Sequence, residues 1–177
     1  MKLKNMIIKT KQFIIRPFKM SDAKDIVRNI NNKNVSLYLS TVPFPYGIKD
    51  AKEYLNKVIS QYKAKDPNTF ACGIEINGEI CGSIGLHHIK IGHKAELGYW
   101  LGEKHWGKGI MSKAVNLFVS QGLKKFRLKR IYAYVLSPNK GSKIVLEKNK
   151  FKLEGFLRKH AHKNNKFYDE YLFAKIK

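Results

Sequence analysis

The chain has 177 residues, 44% of them hydrophobic, which suits one domain spanning 1–177 with a core that needs no staples. Thirty-five basic against thirteen acidic residues give a formal charge of +22, and only five of the basic residues are arginine. No apolar run reaches the ~20 residues of a membrane-spanning helix and no signal-type apolar core follows the basic start, so a helical membrane protein is excluded and the cytoplasm is the expected location.

In chain order, Gln12 to Phe18 alternates into a strand ended or edged by Pro17. Ser21 is placed to cap a helix with the apolar stripe Ala23, Ile26, Val27 and Ile30. Val35 to Leu39 is too short to classify. Thr41 to Gly47 carries two prolines, a glycine and two aromatics, so it reads as a loop whose Phe44 and Tyr46 either line a substrate pocket or fold onto the core. The stripe Ala51, Tyr54, Leu55, Val58, Ile59 and Tyr62 predicts a helix over Ile48 to Lys65. Thr69 to Ile76, Glu79 to Ile89 and the strand starting at Ala95 form an antiparallel meander. In the simplest register of the Asn77-Gly78 turn, Cys72 faces Ser83 and Ile74 faces Cys81, which leaves two free, buried thiols. Beyond lie a helix from Ile110, a strand over Arg130 to Leu136, a helix from Lys140 to about Lys150 capped by Asn139 or Ser137, and a hairpin of Phe151–His162 and Phe167–Ile176 turning at Asn164-Asn165. This order predicts an α+β sandwich around one twisted mixed sheet.

The stretch from Ala95 to Met111 organises the chain. Its first half is apolar at Ala95, Leu97, Tyr99 and Leu101, the period of a half-buried strand; from Ile110 the spacing becomes helical. Between them lies Lys104-His105-Trp106-Gly107-Lys108-Gly109. Two glycines let the backbone approach a ligand closely, the helix behind leaves its first N–H groups without partners, and Lys104 and Lys108 add charge. Such a corner suits an anion, though a tight turn with nothing bound explains the same residues. The histidines His87, His88, His93, His160 and His162 sit at predicted turns among lysines without partnering Cys or Asp, and no metal is expected.

Three stretches together resemble the GNAT superfamily of acetyl-CoA-dependent N-acetyltransferases, in particular the RimJ and RimL branch that acetylates ribosomal-protein N-termini. They are Ile14-Ile15-Arg16-Pro17 with Asp22-Ala23; Glu96 to Leu101 leading into Trp106-Gly107-Lys108-Gly109-Ile110-Met111; and Asn139-x-x-Ser142-x-x-Val145-Leu146-Glu147-Lys148 followed by Phe151 and Glu154-Gly155. The resemblance implies a mostly antiparallel sheet of about seven strands with about four helices, and acetyl-CoA as cosubstrate. It also implies a cofactor site built from Tyr99, Trp100, Leu101, Lys104, Trp106, Gly107, Lys108, Gly109, Ile110, Asn139 and Ser142. Lys104 stands where the family has Gln or Arg, and Lys150 where a Gly usually precedes Phe151.

Acetyl transfer to an amine needs a neutral amine, a polarised carbonyl and an acid for the departing thiolate. Glu96, on the face opposite Leu97 and Tyr99, is the candidate to act through water as base or to fix the ammonium; an ordinary ion-paired carboxylate is the alternative. The resemblance makes Ser142 the candidate acid, although a serine there is also a good helix-terminal residue. An N-terminal amine at pKa ~7.8 is easier to deprotonate than a lysine at ~10.4 by about 3.5 kcal/mol. A strongly cationic body repels polyamines and aminoglycosides but favours a substrate presented on ribosomal RNA, so a protein or peptide N-terminus is the leading acceptor. A small-molecule amine and a non-catalytic acyl-CoA-sensing or RNA-binding module stay open, as do monomer and homodimer.

Overall fold

A computed structural model describes residues 6–39 and 41–177. Its elements are β1 (Ile8–Lys9), β2 (Ile14–Pro17), α1 (Ala23–Ile30), α2 (Lys33–Leu37), α3 (Ile48–Gln61), β3 (Phe70–Ile76), β4 (Glu79–Lys90), β5 (Lys94–Leu101), α4 (Ile110–Lys125), β6 (Arg130–Leu136), α5 (Lys140–Lys148), β7 (Lys152–Lys163) and β8 (Lys166–Ile176). The eight strands form one sheet in the order β1-β2-β3-β4-β5-β6-β8-β7. Every neighbouring pair is antiparallel except β5 with β6.

The helices lie on both faces. Ser83 and Leu86 are three apart on β4 and so point to opposite sides of the sheet. Tyr54 of α3 meets Ser83 through its hydroxyl at 3.3 Å, whereas Leu86 fills the space above Gly122 of α4. The largest buried rings join the layers, with Phe70 of β3 stacked on Phe118 of α4 at 5.8 Å. The Tyr62 hydroxyl accepts from Phe18 N–H at 2.9 Å and donates to Ala71 C=O at 2.7 Å, satisfying two backbone groups that would otherwise be buried unpaired.

The expected α+β sandwich of about seven strands and four helices is borne out, the described residues holding eight strands and five α-helices once the two-residue β1 and the short α2 are counted. Asn32 makes α2 possible by accepting from the N–H groups of Asn34 and Val35. Several local expectations change. Ser21 is not the cap of α1: it lies inside a 3-10 turn, Met20–Asp22, and Asp22 accepts from Lys19 N–H at 2.8 Å. α3 stops at Gln61, four residues short of the expected Lys65. The meander register holds only next to the turn. Glu75 faces Ile80, but Ile74 faces Gly82 and Cys72 faces Ile84, so Cys81 is the extra residue of a bulge. Both thiols are free and buried, as expected. Among the described residues no helix is long and apolar enough to cross a membrane.

Lys150 occupies a position built for glycine. It follows the α5 cap residue Asn149 in left-handed backbone at φ 63°. Its N–H donates to Glu147 C=O at 2.9 Å and that of Phe151 to Leu146 C=O at 3.1 Å, which is the Schellman pattern. Lys150→Gly is therefore expected to raise unfolding stability by about 1 kcal/mol, read from urea denaturation at unchanged m.

Candidate functional site

The site begins where the sheet comes apart. β5 and β6 pair only at Lys94–Arg130, Ala95–Ile131 and Glu96–Tyr132. Beyond Glu96, β5 stays with β4 as far as Leu101–Gly82, while β6 stays with β8 as far as Leu136–Glu170. The two strands therefore diverge, and the β6-facing backbone groups of β5 from Leu97 onward have no strand to pair with. Close packing of β5 on β4 is helped by two cross-strand glycines. A Cβ at Gly85 or Gly98 would lie 3.2 Å from the His87 ring, and burial, with His88 nearby, holds that imidazole's pKa below its usual value.

At the end of β5 the chain turns through Glu103–His105 and the Trp106 indole N–H donates to Leu101 C=O at 2.7 Å, pinning the corner to the strand. Gly107 and Gly109 both adopt φ 72°, a backbone that other residues enter only at a cost. Lys113 N–H reaches Gly109 C=O at 3.1 Å, which leaves the N–H groups of Ile110, Met111 and Ser112 in the first turn of α4 without intrahelical partners. Among the described residues no backbone carbonyl accepts from Gly107, Lys108 or Gly109 N–H either. A Cβ added at Gly107 or Gly109 would meet nothing within 4 Å, so the concave side is open. Unpaired N–H groups converging at a helix N-terminus fit a diphosphate.

The corner's lysines behave differently from expectation. Lys104 does not aim its charge into the concavity, because its ammonium pairs with Glu79 at 3.2 Å. Glu79 also receives Asn29 at 2.8 Å and Arg28 at 3.1 Å. The Asn29 hydrogen bond foremost, then Lys104 and Arg28, hold its carboxyl below the usual range. Lys108 donates to the Lys104 carbonyl at 2.9 Å. The donors that the corner leaves open are therefore backbone N–H groups, with lysine charge as a background.

Two sets of side chains lie where the strands part, on opposite faces of the sheet. On the α4 and α5 side, the Tyr99 hydroxyl lies 2.8 Å from Ser142 Oγ and donates to the Ser142 carbonyl at 3.3 Å. Asn139 caps α5 by accepting from Ser142 N–H at 3.0 Å, as expected. Burial pushes the Tyr99 phenol well above its ordinary pKa, so it stays a neutral donor. Glu96 is three residues away on an extended strand and points to the opposite face. Burial raises its carboxyl, Glu170 adds to the rise, and His88 and His160 work against it. Among the described residues no side chain hydrogen-bonds that carboxyl.

Sequence reasoning missed the rest of this second face. Glu170 is 6% exposed and its carboxylate meets His160 Nδ1 at 2.6 Å. The His160 ring packs on Tyr134 at 4.9 Å, and Tyr134 on Tyr132 at 5.7 Å. Only an irregularity of β7 between Leu157 and Ala161 brings these groups together, and it leaves no pattern in the sequence. Nearby, the β7–β8 hairpin reaches across to α2, where the Lys163 ammonium donates to Ser36 C=O at 2.5 Å and Leu39 C=O at 2.7 Å. The two loop aromatics separate: Phe44 is exposed, whereas Tyr46 is in the core. Trp100 is half-buried opposite Ser83, and Leu101 and Ile110 are buried supports of the corner. Among the described residues no group of three or more His, Cys, Asp and Glu side chains is placed to hold a metal ion.

Comparison with known proteins agrees with this geometry. The family profile described as the acetyltransferase (GNAT) domain matches residues 12–152. The N-acetyltransferase YoaA of Bacillus subtilis is 30% identical over 179 residues, covering 97% of each chain. The ribosomal-protein-serine acetyltransferase of Escherichia coli is 33% identical over 99 residues, 55% of each chain. The crystal structure of a GNAT-family acetyltransferase from Bacillus anthracis superposes with a TM-score of 0.81 at 25% identity, covering 97% of this chain and 98% of that one. A sheet parting between the only two parallel strands among the described residues, a glycine corner opening onto a helix N-terminus and the family profile across both place this chain in the GNAT family of acetyltransferases.

Proposed function

We propose that the chain acetylates the N-terminal α-amine of a protein, a ribosomal protein being the favoured class, with acetyl-CoA as donor. The observation that carries this reading is the placement of Glu96 and of the Tyr99–Ser142 pair on opposite faces of one opening, beside the N–H-rich corner. Acetyl-CoA, the family's cosubstrate, brings a thioester carbonyl and a thiol leaving group. The N–H groups from Gly107 to Ser112 hold its diphosphate, and the unpaired β5 backbone beyond Glu96 offers donors to the carbonyl oxygen. Glu96 fixes the ammonium at the mouth and draws on its proton through water. Its raised carboxyl suits that task, since a base works best when its pKa approaches the working pH. Ser142, held by the Asn139 cap and backed by the neutral Tyr99 hydroxyl, protonates the departing sulfur. The likeness to a ribosomal-protein-serine acetyltransferase and the +22 charge support a ribosomal acceptor.

Thiol release from acetyl-CoA, measured with a panel of N-terminal peptides, polyamines and aminoglycosides, tests the acceptor. Release with peptides is expected; release with the small amines alone would reassign the substrate. Glu96→Gln should lower kcat about 100-fold at saturating acetyl-CoA with little change in the cofactor's KM. A raised folded-state pKa means that ionisation of Glu96 costs stability as pH rises through it, so the same variant should melt no lower than wild type at neutral pH. Ser142→Ala keeps the backbone N–H that Asn139 caps, and should lower kcat about tenfold or more without loss of Tm; unchanged turnover would make the serine structural. Gly109→Val forces a branched side chain into left-handed backbone and should weaken acetyl-CoA binding about tenfold by calorimetry.

A further inference from the structure

The imidazole of His160 is held in a way that packing alone does not require. Lys159 takes left-handed backbone at φ 51° and its N–H donates to Asp169 Oδ1 at 2.7 Å, which turns the following residue toward Glu170. The side chain of Glu170 is 8% exposed and that of His160 45%. With Nδ1 donating to the buried Glu170 carboxylate, Nε2 is the free acceptor. The groups around the ring are Glu170 and Asp169 from β8, Tyr134 from β6, Glu96 from β5, and Lys159 and His162 on β7 itself, with His88 of β4 beside Glu96. His160 thus packs on Tyr134 of β6, near enough for its charge to act on Glu96 of β5, and its exposed edge leads to water.

Resting on the acetyl-transfer reading, we propose that His160 takes the first proton from the ammonium with Glu170 as its positioning residue, while Glu96 takes through water the proton shed as the C–N bond forms. An α-ammonium held by Glu96 gives one proton to Nε2, the N–H bond breaking as Nε2–H forms. The freed nitrogen lone pair then bonds to the thioester carbon as the C–S bond breaks. The second amine proton passes through water to Glu96 as Ser142 delivers its hydroxyl proton to sulfur, Glu96 hands that proton back through water to Ser142 Oγ, and the third stays on the amide. The imidazolium returns its proton to water, so the sum is amide, thiol and one proton.

The test is kcat against pH from 6 to 9 for the full chain with acetyl-CoA and a peptide bearing a free N-terminus. His160→Ala should lose about 100-fold at pH 7, recover toward wild type at pH 9 where the amine is neutral unaided, and regain at least about tenfold with added imidazole. Glu170→Gln, which leaves the His160 ring without its carboxylate partner, should lower kcat about tenfold at pH 7 with the peptide's KM little changed, and recover toward wild type at pH 9 as the His160 variants do. His160→Gln, retaining size and polarity, guards against a fold defect and should behave as the alanine variant does. An unchanged pH profile in the His160 variants, or a uniform loss that imidazole does not repair, overturns the inference. Transfer by wild type with unaffected variants overturns this inference alone, whereas no transfer by wild type to any peptide overturns the acetyl-transfer reading and this one with it.

Discussion

The short parallel pairing of β5 with β6 governs everything else in this molecule. Three residue pairs join the two halves of the sheet, after which each strand follows its other, antiparallel neighbour. Antiparallel ladders are at least as stable per residue as parallel ones, and each strand twists relative to the next, so the parallel pair is the one that yields. The resulting gap exposes backbone groups that a closed sheet would consume.

The supports of that gap are set by ordinary packing. Gly85 and Gly98 admit the His87 ring against the strands. Buried Asn149 donates to Ser112 C=O at 3.0 Å and so ties the end of α5 to the first turn of α4. Glu79 links Lys104 of the corner to α1 through Asn29 and Arg28. These contacts hold the corner without spending its backbone donors, which remain free for a ligand.

Much of this was legible in the residues. The period change at Ile110, the glycine pair and Asn139 followed by Ser142 gave the strand, corner and cap, because each is a local demand on backbone geometry. The turns at Asn77-Gly78 and Asn164-Asn165 were readable for the same reason, since all four residues take positive φ. What escaped depends on contacts between distant segments. The Cys81 bulge shifts a register that the turn alone would fix differently, and the Glu170–His160 contact needs an irregular strand beside a regular one. Lys104 looked like a ligand for phosphate because its partner Glu79 lies twenty-five residues away in sequence. Tyr99 was legible as part of the cofactor strand, but its hydroxyl partner was not.

The arrangement also bears on the order of events. On the proposed reading, donor and acceptor reach the gap from opposite sides of the sheet, so neither obstructs the other's route. Both sulfhydryls of the chain lie in the interior, where burial pushes them above the usual thiol range and denies them a nucleophile's role. No acyl-enzyme stage is called for. On that reading the acyl group crosses once, directly, within a ternary complex.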